Sequence, residues 1–179
     1  MIIGGDGVAS RDMATNEHGR DTVQESDERI IAQRASIRRA FPVEKYCEKI
    51  TPVDNKLEDP DLDEEKDLYH ALKERTWAEV PTHLITQLPD GYLLLTDEAF
   101  AAVLPAWLMH SLERIDEENQ VREFVVYWFS RTMRQFRALN PEQQHTVRSI
   151  LVEFKEHGTN EYERKAAADA VALIDRRRY

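Results

Sequence analysis

At 179 residues, 41% hydrophobic and 32% charged, with a net charge of −10, the chain is long enough to bury one hydrophobic core unaided and has the composition of a solvated, helix-rich protein. Its single cysteine, Cys47, excludes an internal disulfide and a multi-cysteine zinc site, and agrees with a reducing compartment. The most apolar run, residues 99–109, is about half of the roughly 20 residues needed to cross a bilayer, and residues 1–3 lead into Gly and Asp rather than a signal-peptide core, so the expectation is a cytoplasmic protein with no membrane partner.

The predicted elements run as follows. Residues 1–24 hold Gly4, Gly5, Gly7 and Gly19 with no apolar periodicity, which reads as a mobile N-terminal arm ahead of a single helical domain over 25–179. Ser26 caps a first helix at about 27–41, carried by Ile30, Ile31, Ile37 and Phe41 and stopped by Pro42. A short turn of helix around Glu44 to Lys49 and then loop follow, bracketed by Pro52 and Pro60. An acidic first turn at Asp63, Glu64 and Glu65 with Leu62, Tyr69 and Leu72 predicts a second helix ending near Trp77. Pro81 opens a short helix through Leu88, and Pro89-Asp90-Gly91 makes a turn. The run Tyr92 to Leu95 has no identifiable strand partner, so an extended connection is expected.

Thr96 with Asp97 and Glu98 starts the next helix, in which Pro105 should produce a kink or a division into 97–103 and 105–115. Asp116 with Glu117 and Glu118 predicts a helix running to about 138, and residues 124–129 are apolar all round, the mark of a central helix. Asn140-Pro141-Glu142-Gln143 combines an N-cap, an N1 proline and a capping-box glutamine for a helix over 141–156 ending at Gly158. A last helix from about 160 to 176 offers the small residues Ala166, Ala167 and Ala170 for close packing. The fold class is therefore all-α: a single-domain bundle of six or seven helices with a proline-kinked central helix.

Three sequence clusters carry a resemblance. Trp77-Ala78-Glu79-Val80-Pro81, then Leu95-Thr96-Asp97-Glu98-Ala99-Phe100 with Leu104-Pro105-Ala106, then Leu139-Asn140-Pro141-Glu142-Gln143 resemble the W-x-x-[VI]-P, L-T-x-E-A-F-x-x-x-L-P-A and L-x-P-x-Q motifs of a family of small bacterial domains of unknown function. The resemblance covers roughly residues 37–175 and implies a fold but no activity. Trp77, Pro105 and Trp107 are read as core and kink residues.

Charge is unevenly spread. Residues 43–120 carry 19 acids and 7 bases, a net −12, whereas residues 121–179 carry 8 acids and 11 bases, a net +3. An acidic surface disfavours nucleic acid and anionic lipid and speeds capture of basic partners. The basic run Arg131, Arg134, Arg137 and the tail Arg176, Arg177, Arg178 match no nucleic-acid motif, so no nucleic-acid partner is expected and these residues are read as complementing helix ends and neighbouring acids.

Catalytic signals are fragmentary. The carboxylates from Asp59 to Asp67 begin like an EF-hand loop but place Glu64 and His70 where glycine and a bidentate glutamate belong. Two carboxylate-x-x-His pairs, Asp67/His70 and Glu142/His145, have the spacing of a di-metal helix pair, but Glu142 and His145 fall opposite the apolar stripe of their helix. No nucleophile elbow, zincin motif or phosphate loop occurs, and Cys47 reads as structural. No catalytic residue, metal or cofactor is assigned. The leading expectation is a non-enzymatic protein-binding module, in its concrete form an immunity or antidote protein for a basic toxin, contacting its partner through Asp59, Asp61, Asp63, Glu64, Glu65 and Asp67. The alternatives are a divalent-metal enzyme built on the 54–67 carboxylates, with or without His70, and a self-associating structural or regulatory module.

Overall fold

The computed structural model describes residues 15–43, 68, 70–73, 75–89, 91, 95–113 and 117–176, with the backbone alone over 15–24. Among these residues there are seven α-helices, one 3-10 turn and no strand: α1 (Thr15–Ala40), the 3-10 turn (Trp77–Glu79), α2 (Thr82–Gln87), α3 (Asp97–Ser111), α4 (Gln120–Arg131), α5 (Arg134–Ala138), α6 (Pro141–His157) and α7 (Glu161–Asp175). The all-α helical bundle follows directly.

Two compact units divide the chain, Met1–Ala32 and Gln33–Tyr179. In the first, the described residues are helical from Thr15, so the helix begins twelve residues before the expected start and takes in ten of the 24 residues of the expected arm. The early turns lack an apolar stripe. They hold polar helix formers such as Arg20, Gln24, Glu25 and Glu28, with Glu25 and Arg29 paired four apart at 3.6 Å, and helices of that kind leave no hydrophobic signature to read.

In the second unit, α3 is the core element. Nine of its fifteen residues are buried, among them Phe100, Leu104, Pro105, Trp107 and Leu108, and it packs against the 3-10 turn, α2, α4 and α5. Thr96 accepts from the Ala99 amide at 3.2 Å, the N-cap expected from sequence. Pro105 lies inside one continuous helix, and the division into 97–103 and 105–115 is not observed. An interior proline costs about 3 kcal/mol of helix propensity; burial of several large side chains, each contributing about 1.5–3 kcal/mol, outweighs it. Phe100 meets Phe129 edge-on at 6.3 Å, and Phe129 meets Phe136 at 6.2 Å.

The two buried tryptophans fasten loops to this core. Trp107 Nε1 donates to the Pro89 carbonyl at 3.1 Å, and Trp77 Nε1 donates to the Phe41 carbonyl at 3.1 Å, so each indole fills volume and satisfies a backbone acceptor just beyond a helix end. Residues 33–40 of α1 meet α6 through Gln33 Nε2 to Ser149 Oγ (3.1 Å), Ser36 Oγ with Thr146 Oγ1 (3.2 Å) and the Arg39–Glu142 pair (3.5 Å).

The expected 116–138 helix is two helices. Asn119, not Asp116, is the N-cap: its Oδ1 accepts from the Arg122 amide at 3.1 Å while its Nδ2 donates to the His110 carbonyl at 3.1 Å, so one side chain closes the end of α3 and opens α4. Extended Thr132 (φ −138°, ψ 144°) ends α4, and its Oγ1 accepts from the Arg134 amide at 3.3 Å as the chain re-enters helix in α5. The capping box of α6 forms as expected, Gln143 N to Asn140 Oδ1 and Asn140 N to Gln143 Oε1, both 3.0 Å.

Trp107→Phe keeps most of the buried volume and removes the donor to Pro89. A buried acceptor left unpaired costs about 1–3 kcal/mol, so urea denaturation should give a lower midpoint with an unchanged slope; an unchanged midpoint would show that the indole hydrogen bond is dispensable.

Candidate functional site

α7 packs along both α4 and α6. The residues buried on α7 include the small Ala166, Ala167 and Ala170, and those buried on α4 include Val121, Val125, Val126 and Phe129. Within that otherwise apolar contact lie two charges. Arg122 of α4 and Glu163 of α7 are each 0% exposed and form an ion pair through Nε and Oε1.

Both terminal nitrogens of the guanidinium bond to the same junction. Nη1 donates to the Ser111 carbonyl at 3.3 Å, and Nη2 donates to the Glu117 carbonyl and to Thr159 Oγ1 (2.8 Å); its plane also lies over Phe154, 5.8 Å from the ring centroid. Thr159 in turn donates from Oγ1 to the Glu117 carbonyl (3.0 Å) and from its amide to Glu163 Oε2 (3.2 Å). The network therefore ties the end of α3, the 117–119 segment, α4 and the turn into α7 at one point. Burial pushes the Glu163 carboxyl above the ordinary carboxylate range, opposed by the Arg122 charge and the Thr159 amide.

The turn between α6 and α7 fits this network tightly. Gly158 has φ −59°, so it is not there for a left-handed backbone, as a helix-ending glycine often is. A Cβ at that position would lie 2.5 Å from the Phe154 carbonyl oxygen and 3.1 Å from the Glu163 carboxyl carbon. Glycine is required for the close approach.

Beside the stapled contact, α4 and α7 form a groove of about 480 Å³. Tyr127, Ser130 and Arg131 line it from the last turn of α4, and Tyr162, Lys165, Asp169, Leu173 and Arg176 from α7. Residues 162, 165, 166, 169, 172, 173 and 176 follow the spacing of a single helix face, about 21 Å long at 1.5 Å per residue. Tyr127 and Tyr162 are 41% and 56% exposed, and the Arg131 guanidinium lies over the Tyr127 ring at 5.2 Å. Tyr127 corrects the expectation that 124–129 is buried all round: Val125, Val126 and Phe129 face the core, and the phenol faces the groove.

Arg131 from α4 and Lys165 and Arg176 from α7 line the groove together with a single carboxylate, Asp169 of α7. None of the three cations is ion-paired with a carboxylate among the described residues. The neighbouring basic residues are engaged: Arg134 pairs with Asp97 at 3.2 Å, and Arg148 holds Asp175 with two 2.7 Å hydrogen bonds that raise the arginine's pKa. The groove is thus a cationic, tyrosine-bearing patch on a chain of net charge −10.

A second, smaller cavity of about 260 Å³ is acidic, lined by His110, Glu113, Glu117 and Glu118 with Asn119 and Thr86; His110 Nε2 lies 3.8 Å from Glu113 Oε2. Among the described residues no three His, Cys, Asp or Glu side chains are grouped to hold a metal ion, and no helix is long and apolar enough to cross a membrane.

Of the residues singled out by sequence, Asp59, Asp61, Asp63, Glu64, Glu65 and Asp67 lie outside the described residues, as do Cys47, Arg177 and Arg178. His70 is exposed. Glu142 and His145 are exposed as their helix face required, and Glu142 pairs with Arg39. The small-residue stripe of α7 is legible in the sequence, whereas the groove is not, because it joins the polar stripe beginning at Tyr162 to Tyr127 and Arg131 of a different helix. No protein-family model, no curated protein and no solved structure matches this chain.

Arg122→Met leaves the Glu163 carboxyl buried with no facing cation, a change expected to cost about 3–5 kcal/mol at neutral pH. The folded carboxyl then binds its proton more tightly than the unfolded one, so stability falls as pH rises from the unfolded value of 4.5 through the raised folded value, and the deficit narrows on acidification. Urea titrations at about pH 5 and about pH 7.5 should show this narrowing, and adding Glu163→Gln should abolish it. A deficit independent of pH in both variants would contradict a charged Glu163 at this site.

Proposed function

We propose that this protein is a non-enzymatic, protein-binding helical module whose contact surface includes the α4–α7 groove. The observation that carries this reading is the pairing of two exposed tyrosines, Tyr127 and Tyr162, with Arg131 in one groove. Tyrosine and arginine are the residue types enriched at interface centres, where large, rigid, amphipathic side chains gain contact area at small entropic cost. The groove's walls are held by a buried ion pair, so the surface is pre-organised.

A basic protein partner is the second reading. It is supported by the net −12 of residues 43–120 and by the clustering of Glu113, Glu117 and Glu118 around the smaller cavity; the antidote-like form, acting through Asp59, Asp61, Asp63, Glu64, Glu65 and Asp67, belongs to it. The motif residues Trp77, Pro81, Thr96, Pro105 and Pro141 support the further proposal that the chain belongs to the family of small bacterial domains they resemble.

A photo-crosslinking side chain in place of Tyr127, irradiated in a lysate of the source organism, should give a discrete protein adduct that Tyr162→Ala removes, with none from a probe at exposed Gln87. Adducts of equal yield at both probe positions, or none at Tyr127, would overturn the groove as the contact surface.

A further inference from the structure

We propose that the occupant of the α4–α7 groove is an acidic peptide segment of a partner protein, laid along α7 with its carboxylates against Lys165, Arg131 and Arg176; this rests on the protein-binding reading above. Shape and charge both point to it. The lining face of α7 runs from Tyr162 to Arg176, about 21 Å, which matches about six extended residues at roughly 3.3 Å each and is far longer than a single phosphate or carboxylate requires. Cations stand on both walls, Arg131 from α4 and Lys165 and Arg176 from α7, so an anionic chain is met from two sides along its length.

The apolar part of the lining fixes what else the segment carries. Ala166, Ala172 and Leu173 lie between the charged positions, and the two phenols flank them, so an apolar side chain spaced between carboxylates has a seat. Asp169 is the element of discrimination. It sits on the same face, one turn beyond Lys165 and one turn before Leu173, and opposes a carboxylate placed directly over the middle of the groove, so the segment it tolerates is acidic at its ends and neutral or hydrogen-bond-donating at its centre.

This sets the groove apart from the rest of the protein. A chain of net charge −10 repels acidic segments at long range, so an acidic ligand that binds must do so by local complementarity, and binding should strengthen as salt first screens the overall repulsion, then weaken as the groove's own charges are screened.

The test is fluorescence anisotropy of labelled peptides of about six to eight residues, the extended length of the groove, with the full chain. Three share one apolar pattern and carry Glu, Gln or Lys at the remaining positions. The Glu peptide should bind, Lys165→Glu should weaken it about tenfold or more, Asp169→Asn should tighten it severalfold, and Tyr162→Ala should weaken it without changing its salt dependence. Equal or tighter binding of the Gln or Lys peptide, still lost in Tyr162→Ala, would overturn the acidic occupant while leaving the groove a protein-binding surface. No peptide of any charge bound in a Tyr162-dependent way would overturn the protein-binding reading as well. Circular dichroism of each variant separates loss of binding from loss of fold, and Asp169→Asn, an exposed and isosteric change, reports on charge alone.

Discussion

The buried Arg122–Glu163 pair is the constraint on which the α4–α7 contact and its groove depend. Two charges removed from water are each penalised by several kcal/mol, and their mutual attraction recovers this only where the remaining donors and acceptors are also satisfied. Here they are satisfied by backbone carbonyls and a threonine from three neighbouring segments, so the pair can exist only when the end of α3, the 117–119 segment, α4 and the turn into α7 are all in place. An apolar contact between α4 and α7 could slide by a turn at small cost; an ion pair whose two side chains are also hydrogen-bonded to neighbouring segments cannot. The register of these two helices, and with it the groove they line, is set by this point.

Neighbouring features follow from that register. Gly158 is forced by the nearness of the Phe154 carbonyl and the Glu163 carboxyl. The alanines of α7 permit the close approach that buries the pair. Asn160 caps α7 through the Glu163 amide at 2.8 Å and reaches Glu123 at 3.3 Å, so the residue that starts the helix also points its first turn at α4. Tyr127 and Arg131 then emerge from α4 beside Tyr162 and Lys165 because their helices are held in this phase.

Much of the fold was legible because it is written in local chemistry. Thr96, Asn140, Pro141 and Gln143 announce helix starts through caps that act within three residues, and the apolar stripes of α3 and α6 identify their buried faces. What was not legible was non-local or carried no apolar signal. Residues 15–26 form helix without a hydrophobic stripe. Asn119 displaces Asp116 as a cap because it also reaches the His110 carbonyl, a contact nine residues back that no capping rule contains. Pro105 stays within one helix because core burial on both sides of it exceeds its local cost. Arg122 and Glu163 are 41 positions apart in sequence, and nothing in either neighbourhood marks them as partners. The candidate site was legible only in its parts: the helical spacing of Tyr162, Lys165, Asp169 and Arg176 is visible in the sequence, but that Tyr127 and Arg131 stand opposite them is a property of the packing.

The central claim is that one buried pair holds α4 against α7 and thereby builds the groove. Hydrogen–deuterium exchange on Arg122→Met against the parent chain tests it most directly, under conditions where both remain folded. The account predicts faster exchange concentrated in residues 117–131 and 158–170, with the amides of α3 over 99–108 still protected. Loss of protection spread evenly over the second unit, or none beyond the mutated turn, would contradict it.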